Sequence, residues 1–129
     1  MPWVEVFAVL VVSHLVGDYL LQTEWQALNK RGGLTGTATM RRALISHIAT
    51  YTLAFVPALI WLAGNVGEAF GLTALIAAPH LVQDDGTLLA AYARAIKKTD
   101  LRANPQLEAL LDQSFHVLAL FGTALLVGS

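Results

Sequence analysis

The stretch Ser13-His-Leu-Val-Gly-Asp-Tyr-Leu-Leu-Gln22 decides how this chain reads. It sets His14 and Asp18 four positions apart inside an apolar run that begins at Trp3. On a helix that spacing puts both side chains on one face, about one turn apart. The same pairing recurs at His80 and Asp84 and, in reverse order, at Asp112 and His116. Together the three pairs describe one site built from several helices.

Composition fixes the class of protein around that site. The chain has 129 residues, 56% of them hydrophobic and only 13% charged, and its mean hydropathy is +0.59. A soluble domain carries about a quarter charged residues, so this balance predicts a membrane protein with a single domain over residues 1–129. The formal net charge of -1, with no basic run interleaved with aromatics, argues against a nucleic-acid partner. No cysteine is present, which excludes disulfides, thiolate zinc sites and thiol catalysis. The amino terminus lacks a basic region before its apolar run, so the first span is expected to be retained rather than cleaved as a signal.

The expected fold is all-α: an integral membrane four-helix bundle with spans at about 3–22, 43–63, 69–84 and 106–127. Each approaches the roughly 20 residues that cross a hydrocarbon core about 30 Å thick. Residues 29–40, with Lys30, Arg31, three glycines and threonines, have the composition of a solvated loop. Pro57 in the second span is tolerable where neighbouring helices satisfy the carbonyl it frees. The short turn at Gly64-Asn65-Val66-Gly67 makes the second and third spans antiparallel neighbours. Residues 87–98 read as a short amphipathic helix at the interface, or as a loop helix packed on the bundle. Asn104-Pro105 reads as the start of the last span.

All eight lysines and arginines fall between residues 30 and 42 or between 94 and 102. The positive-inside rule therefore predicts a membrane protein with loops 23–42 and 85–105 cytoplasmic and both termini outside. Counted from the cytoplasmic ends, Asp18, His47, Asp84 and Asp112 come within roughly 10 Å of that interface, and His14, Tyr51, His80 and His116 lie about one turn deeper. Because alternate spans run in opposite directions, the His-then-Asp order must reverse in the last one. It does reverse.

An aspartate at a helix centre costs about 2.5 to 3.5 kcal/mol on insertion scales, and ionisable residues in a span default to functional candidates. A divalent metal offsets several carboxylates at once. Neutral imidazole with carboxylate suits zinc first, with manganese or iron next. The predicted ligand set is His14, Asp18, His47, His80, Asp84, Asp112 and His116, with Asp18, Asp84 and Asp112 as the candidate catalytic bases. These seven exceed what one tetrahedral ion needs, which points to a second metal or to aspartates that orient ligating histidines. One His/Asp pair alone is more often an interhelical hydrogen bond than a metal site; three pairs and His47 at one depth reverse that balance. Gln22 and Gln113 read as helix-helix hydrogen bonders and Tyr51 as a packing aromatic. Gly17 reads as a point of close helix approach, Asp85 as a solvated turn residue, and Trp3, Trp25 and Trp61 as interface anchors.

The ordered motifs His14-Leu-Val-Gly-Asp18-Tyr-Leu-Leu-Gln22 with Asn29-Lys30, His47 followed by Tyr51, His80-x-x-x-Asp84, and Asp112-Gln113-x-x-His116 span almost the whole chain. They resemble the bacterial and phage domain-of-unknown-function family 3307. The resemblance implies a small multi-span protein of the bacterial inner membrane without naming a reaction, and a looser likeness runs to membrane-bound metal-dependent hydrolases. Relatives continue the third motif with a basic residue soon after the aspartate. Here Gln83, Asp85 and Gly86 occupy that region, leaving Arg94 or Lys97 to supply the charge.

The leading expectation for function is a membrane-embedded metal-dependent hydrolase acting on a lipid headgroup or other phosphoester at the cytoplasmic leaflet. Arg94 to Lys98 would attract anionic headgroups. The alternatives are a non-catalytic haem- or pigment-binding or structural subunit, and a proton or cation transporter. The bilayer is the expected partner, and a homo-oligomer is compatible with so short a bundle.

Overall fold

The computed structural model describes residues 1–129 and consists of helices and their connections, with no strand. Helix α1 (Trp3–Leu15) runs directly into a π-helical turn, Val16–Leu20. A short α2 (Glu24–Asn29) follows, started by a capping box in which Thr23 accepts from the Gln26 amide and the Gln26 side chain accepts from the Thr23 amide. Helix α3 (Ala38–Ala54) is capped by the Thr37 hydroxyl. It bends by 47° into α4 (Val56–Leu62) at the Phe55 break, where Pro57 cannot continue the ladder. Asn65 caps α5 (Val66–Asp85). Helix α6 (Thr87–Tyr92) widens into a second π-helical turn, Ala93–Lys97. A 3-10 turn at Leu101–Ala103 leads to α7 (Pro105–Val127). Helices α1 and α7 pack antiparallel, and the chain ends meet through the Trp3 amide donating to Ser129 O and the Ser129 amide to Met1 O.

The expected four spans are confirmed only in coarser form. Two stretches, Trp3–Leu20 and Pro105–Val127, are long and apolar enough to cross a membrane, and the bent pair α3–α4 qualifies if counted as one span. Helix α5 does not reach the same standard, because Glu68 at one end and His80, Gln83, Asp84 and Asp85 at the other shorten its apolar middle. It lies instead among α3, α4, α6 and α7. Helix α3 also begins five residues before the expected start at Ala43, since Thr37 provides a cap there.

Outside and inside are inverted relative to a soluble protein. Of the 28 buried residues, those that are polar or charged nearly match the apolar ones in number, while Ile60, Phe70 and Leu126 are each more than 70% exposed. That distribution suits a hydrocarbon surrounding. Near the chain ends the interior is apolar: Val6, Leu10, Phe55, Ile76, Leu120 and Ala124 pack together above Tyr51. The polar interior fills the other half. A second small cluster, Leu89, Ala93 and Leu101 against Leu107, Leu111 and Phe115, fastens α6 to α7, so residues 87–98 form the packed loop helix.

The segment after α2 differs most from its expected role. Its residues 30–34 dock on the ends of α5 and α7, while Thr35 and Thr37–Thr39 are exposed as a solvated loop would be. The Gly32 amide donates to Asp85 O at 2.7 Å and the Leu34 amide to Asp85 Oδ1 at 2.9 Å. Asp85 is thereby buried rather than solvated; its other oxygen accepts from the Thr87 hydroxyl. Gly86 closes α5 in the left-handed region at φ 81°, and a Cβ there would stand 2.9 Å from Arg31 Cδ, so glycine serves both the turn and the passage of Arg31.

Candidate metal centre

Four elements deliver the site. Asp18 comes from the π-helical turn, where one extra residue per turn re-aims the carboxylate relative to His14. Gly17 lets that turn lie directly on α3: a Cβ at Gly17 would be 2.7 Å from Tyr51 Cδ2 and 3.2 Å from Tyr51 Cα. The predicted close approach is therefore present. His47 projects from α3, His80 and Asp84 from successive turns of α5, and Asp112 and His116 from successive turns of α7. All seven predicted ligands are buried.

Two ligand groups can hold a metal ion: Asp18, His47, His80 and Asp84, and then Asp84, Asp112 and His116. In the first, His47 Nε2 lies 2.7 Å from Asp84 Oδ2 and 3.1 Å from Asp18 Oδ1. His80 Nε2 lies 2.8 Å and 3.4 Å from the same two atoms, and the two imidazole nitrogens are 3.0 Å apart. A tetrahedral shell with bonds of about 2.0–2.1 Å has edges of about 3.3–3.4 Å. The spacings to Asp18 come near that edge, and those of 2.7 to 3.0 Å among His47, His80 and Asp84 are hydrogen-bond distances that would open by a few tenths of an ångström around an ion. Asp18 Oδ1 and Asp84 Oδ1 have no hydrogen-bond partner, and Asp84 Oδ2 has the Lys30 ammonium 3.1 Å away; the oxygens left over call for a further cation or protons in their midst.

His14 is held differently. Its Nδ1 meets Tyr51 Oη at 2.8 Å and its Nε2 meets Gln113 Oε1 at 2.7 Å. The Gln113 amide nitrogen donates to Asp18 Oδ2 at 3.1 Å, which turns the amide oxygen towards His14. An amide oxygen only accepts, so His14 carries its proton on Nε2, and Nδ1 accepts from the Tyr51 hydroxyl. The result is a directed chain, Tyr51 to His14 to Gln113 to Asp18. Both nitrogens of His14 are occupied, so it stands behind the metal group and orients Asp18. Gln113 is the helix-helix hydrogen bonder expected of it. Tyr51 is both the expected packing aromatic, stacked on His80 with centroids 3.5 Å apart, and the start of this chain.

Lys30, Arg31 and Gln22 complete the site from the loop side. Lys30 is buried, with Nζ 3.1 Å from Asp84 Oδ2 and 2.6 Å from Gln22 Oε1. Arg31 donates to the carbonyls of Gln83 and Asp84, pairs with Glu108 at 3.0 Å and reaches Asp112 Oδ1 at 3.4 Å. Arg31 is thus the basic group at the end of the third motif in space, whereas Arg94 and Lys97 are exposed. Both cations read as loop residues in the sequence because they sit among glycines and threonines. The signal for their role is the motif pairing of Asn29-Lys30 with Gln22, eight residues before Lys30 at the end of the first helix.

No curated protein and no solved structure matches this chain. A family model described as a protein of unknown function matches residues 6–127, nearly the whole length. The chain therefore belongs to the DUF3307 family.

Proposed function

We propose that this protein is a membrane-embedded, metal-dependent hydrolase acting on a lipid headgroup or another phosphoester at the cytoplasmic face. The observation that carries the reading is the convergence of Asp18, His47, His80 and Asp84 within reach of one ion, with Asp18 Oδ1 and Asp84 Oδ1 lacking a hydrogen-bond partner. Zinc is the first candidate for this mixed nitrogen and oxygen set, with manganese and iron next. A bound divalent ion would supply a water of lowered pKa and polarise the ester. Asp112 is the carboxylate on the loop side of the group, paired there with Arg31, and Lys30 and Arg31 are the cations beside which an anionic ester would lie. Clustering of lysine and arginine in loops 23–42 and 85–105 supports a cytoplasmic site in an inner-membrane protein with both ends outside.

The apolar packing of Val6, Leu10, Phe55, Ile76 and Leu120 supports a one-sided site over a transport path. Direct contact of the His47 and His80 nitrogens favours a bare cation over a haem between them. A second reading, a metal site without catalysis, is favoured by one feature: four protein donors fill a tetrahedral shell and leave no open position.

The test is elemental analysis of protein purified without added metal, followed by phospholipid and phosphodiester hydrolysis with and without chelation. Stoichiometric metal and chelator-sensitive turnover are expected, both lost in His47→Ala and His80→Ala. Full turnover in metal-free protein would overturn the proposal.

A further inference from the structure

We infer that the chain holds a second divalent cation beside the first, with Asp84 bridging the two, and that this second position is the one open to a substrate. The inference rests on the metal-binding reading above and extends it. Its starting point is His116, which is buried and whose Nδ1 lies 2.5 Å from the backbone carbonyl of Asp112. A carbonyl only accepts, so Nδ1 carries the proton, and in the neutral ring Nε2 is a bare lone pair. That Nε2 has no hydrogen-bond partner and faces Asp84 Oδ1, also without one, at 3.2 Å. Two acceptors buried face to face require a positive charge between them.

The two oxygens of Asp84 divide the work. Oδ2 is directed at His47 and His80, at 2.7 and 2.8 Å, and Oδ1 at His116. One carboxylate so placed joins two neighbouring ions, the arrangement of two-metal hydrolytic sites, whose ions stand about 3.5–4 Å apart. Asp112 completes the second group.

Access distinguishes the two positions. The first has four protein donors and is closed. The second has three, and three-donor sites leave a coordination position for water or substrate. A cavity of about 380 Å³ between α5, α6 and α7 is walled by Val82, Leu88, Leu89, Tyr92 and Phe115, with Asp112 on its lining. Asp112 is the one donor of either group on that lining, so access to the second position runs past its carboxylate.

The test uses the full chain in detergent, stripped of metal and reloaded with Mn²⁺, read by elemental analysis and electron paramagnetic resonance. Two ions per chain with an exchange-coupled spectrum are expected. His116→Gln should fall to one uncoupled ion, and Asp112→Asn provides the same comparison should that variant not fold. One ion per chain in the wild type, unaffected by either substitution, would mean that His116 is simply an imidazolium paired with Asp84. That result overturns the second site and leaves the first intact. No bound ion at all overturns both readings.

Discussion

Lys30→Met tests the electrostatic logic of the site, because the Lys30 ammonium and a metal ion would serve the same carboxylate. Lys30 Nζ is 3.1 Å from Asp84 Oδ2, and both side chains are almost fully buried. At an effective dielectric of about 20, two unit charges at that distance attract by about 5 kcal/mol. Breaking a buried pair by removing one partner costs about 3–5 kcal/mol, since the other charge is left uncompensated. Here His47 Nε2 and His80 Nε2 still face Asp84 Oδ2 at 2.7 and 2.8 Å, so the lower end, about 3 kcal/mol, is expected for metal-free protein. Metal should restore that loss. Methionine brings no charge to repel the incoming ion, so the variant should also bind Zn²⁺ or Mn²⁺ more tightly than the wild type. The assay is thermal or denaturant unfolding in detergent with and without metal, together with a competition titration for affinity. Equal loss of stability in both conditions, or weaker metal binding, would refute the argument that Lys30 balances charge at a cation site.

Three further outcomes follow from the geometry. Tyr51→Phe keeps the stack on His80 but leaves His14 Nδ1 without its donor, which should cost about 1–3 kcal/mol in unfolding measurements. His14→Ala should retain metal with affinity reduced about 10–100-fold, because the ring orients Asp18 through Gln113, whereas His47→Ala should abolish binding in the same titration. Gly17→Ala should lower stability by about 1–3 kcal/mol, since its Cβ meets the Tyr51 backbone as well as the ring; a thermal melt at wild-type values would show that α1 and α3 can separate there without cost.

Much of this was legible in the sequence, and the parts that were not share a cause. Helical spacing put His14 and Asp18, His80 and Asp84, and Asp112 and His116 on common faces, and the structure does bring all six together with His47. Periodicity cannot say which of two residues on one face reaches a metal and which orients it. His14 and His116 look alike in the sequence, yet one has both nitrogens occupied and the other has a free Nε2. The difference depends on Gln113 and Tyr51 from other helices. Nor does composition reveal docking. Residues 29–40 have the content of a loop, but Asp85 offers them a carbonyl and a carboxylate at the end of α5, and their amides take both. Burial of Lys30 and Arg31 follows from that docking.

The docked segment also explains how charged groups persist at one end of an otherwise apolar bundle. Asp18, Asp84, Asp112 and Glu108 carry four negative charges, and Lys30 and Arg31 return two positive ones at contact distance. With neutral histidines the cluster is left two charges short, a gap that one divalent ion would close. A second ion would leave a positive surplus, which an anionic ester or hydroxide would reduce and a neutral substrate would not. With two ions bound, charge balance therefore favours a phosphoester over an uncharged ester, and turnover of anionic but not uncharged esters is the expected pattern; equal turnover of both would refute the charge argument.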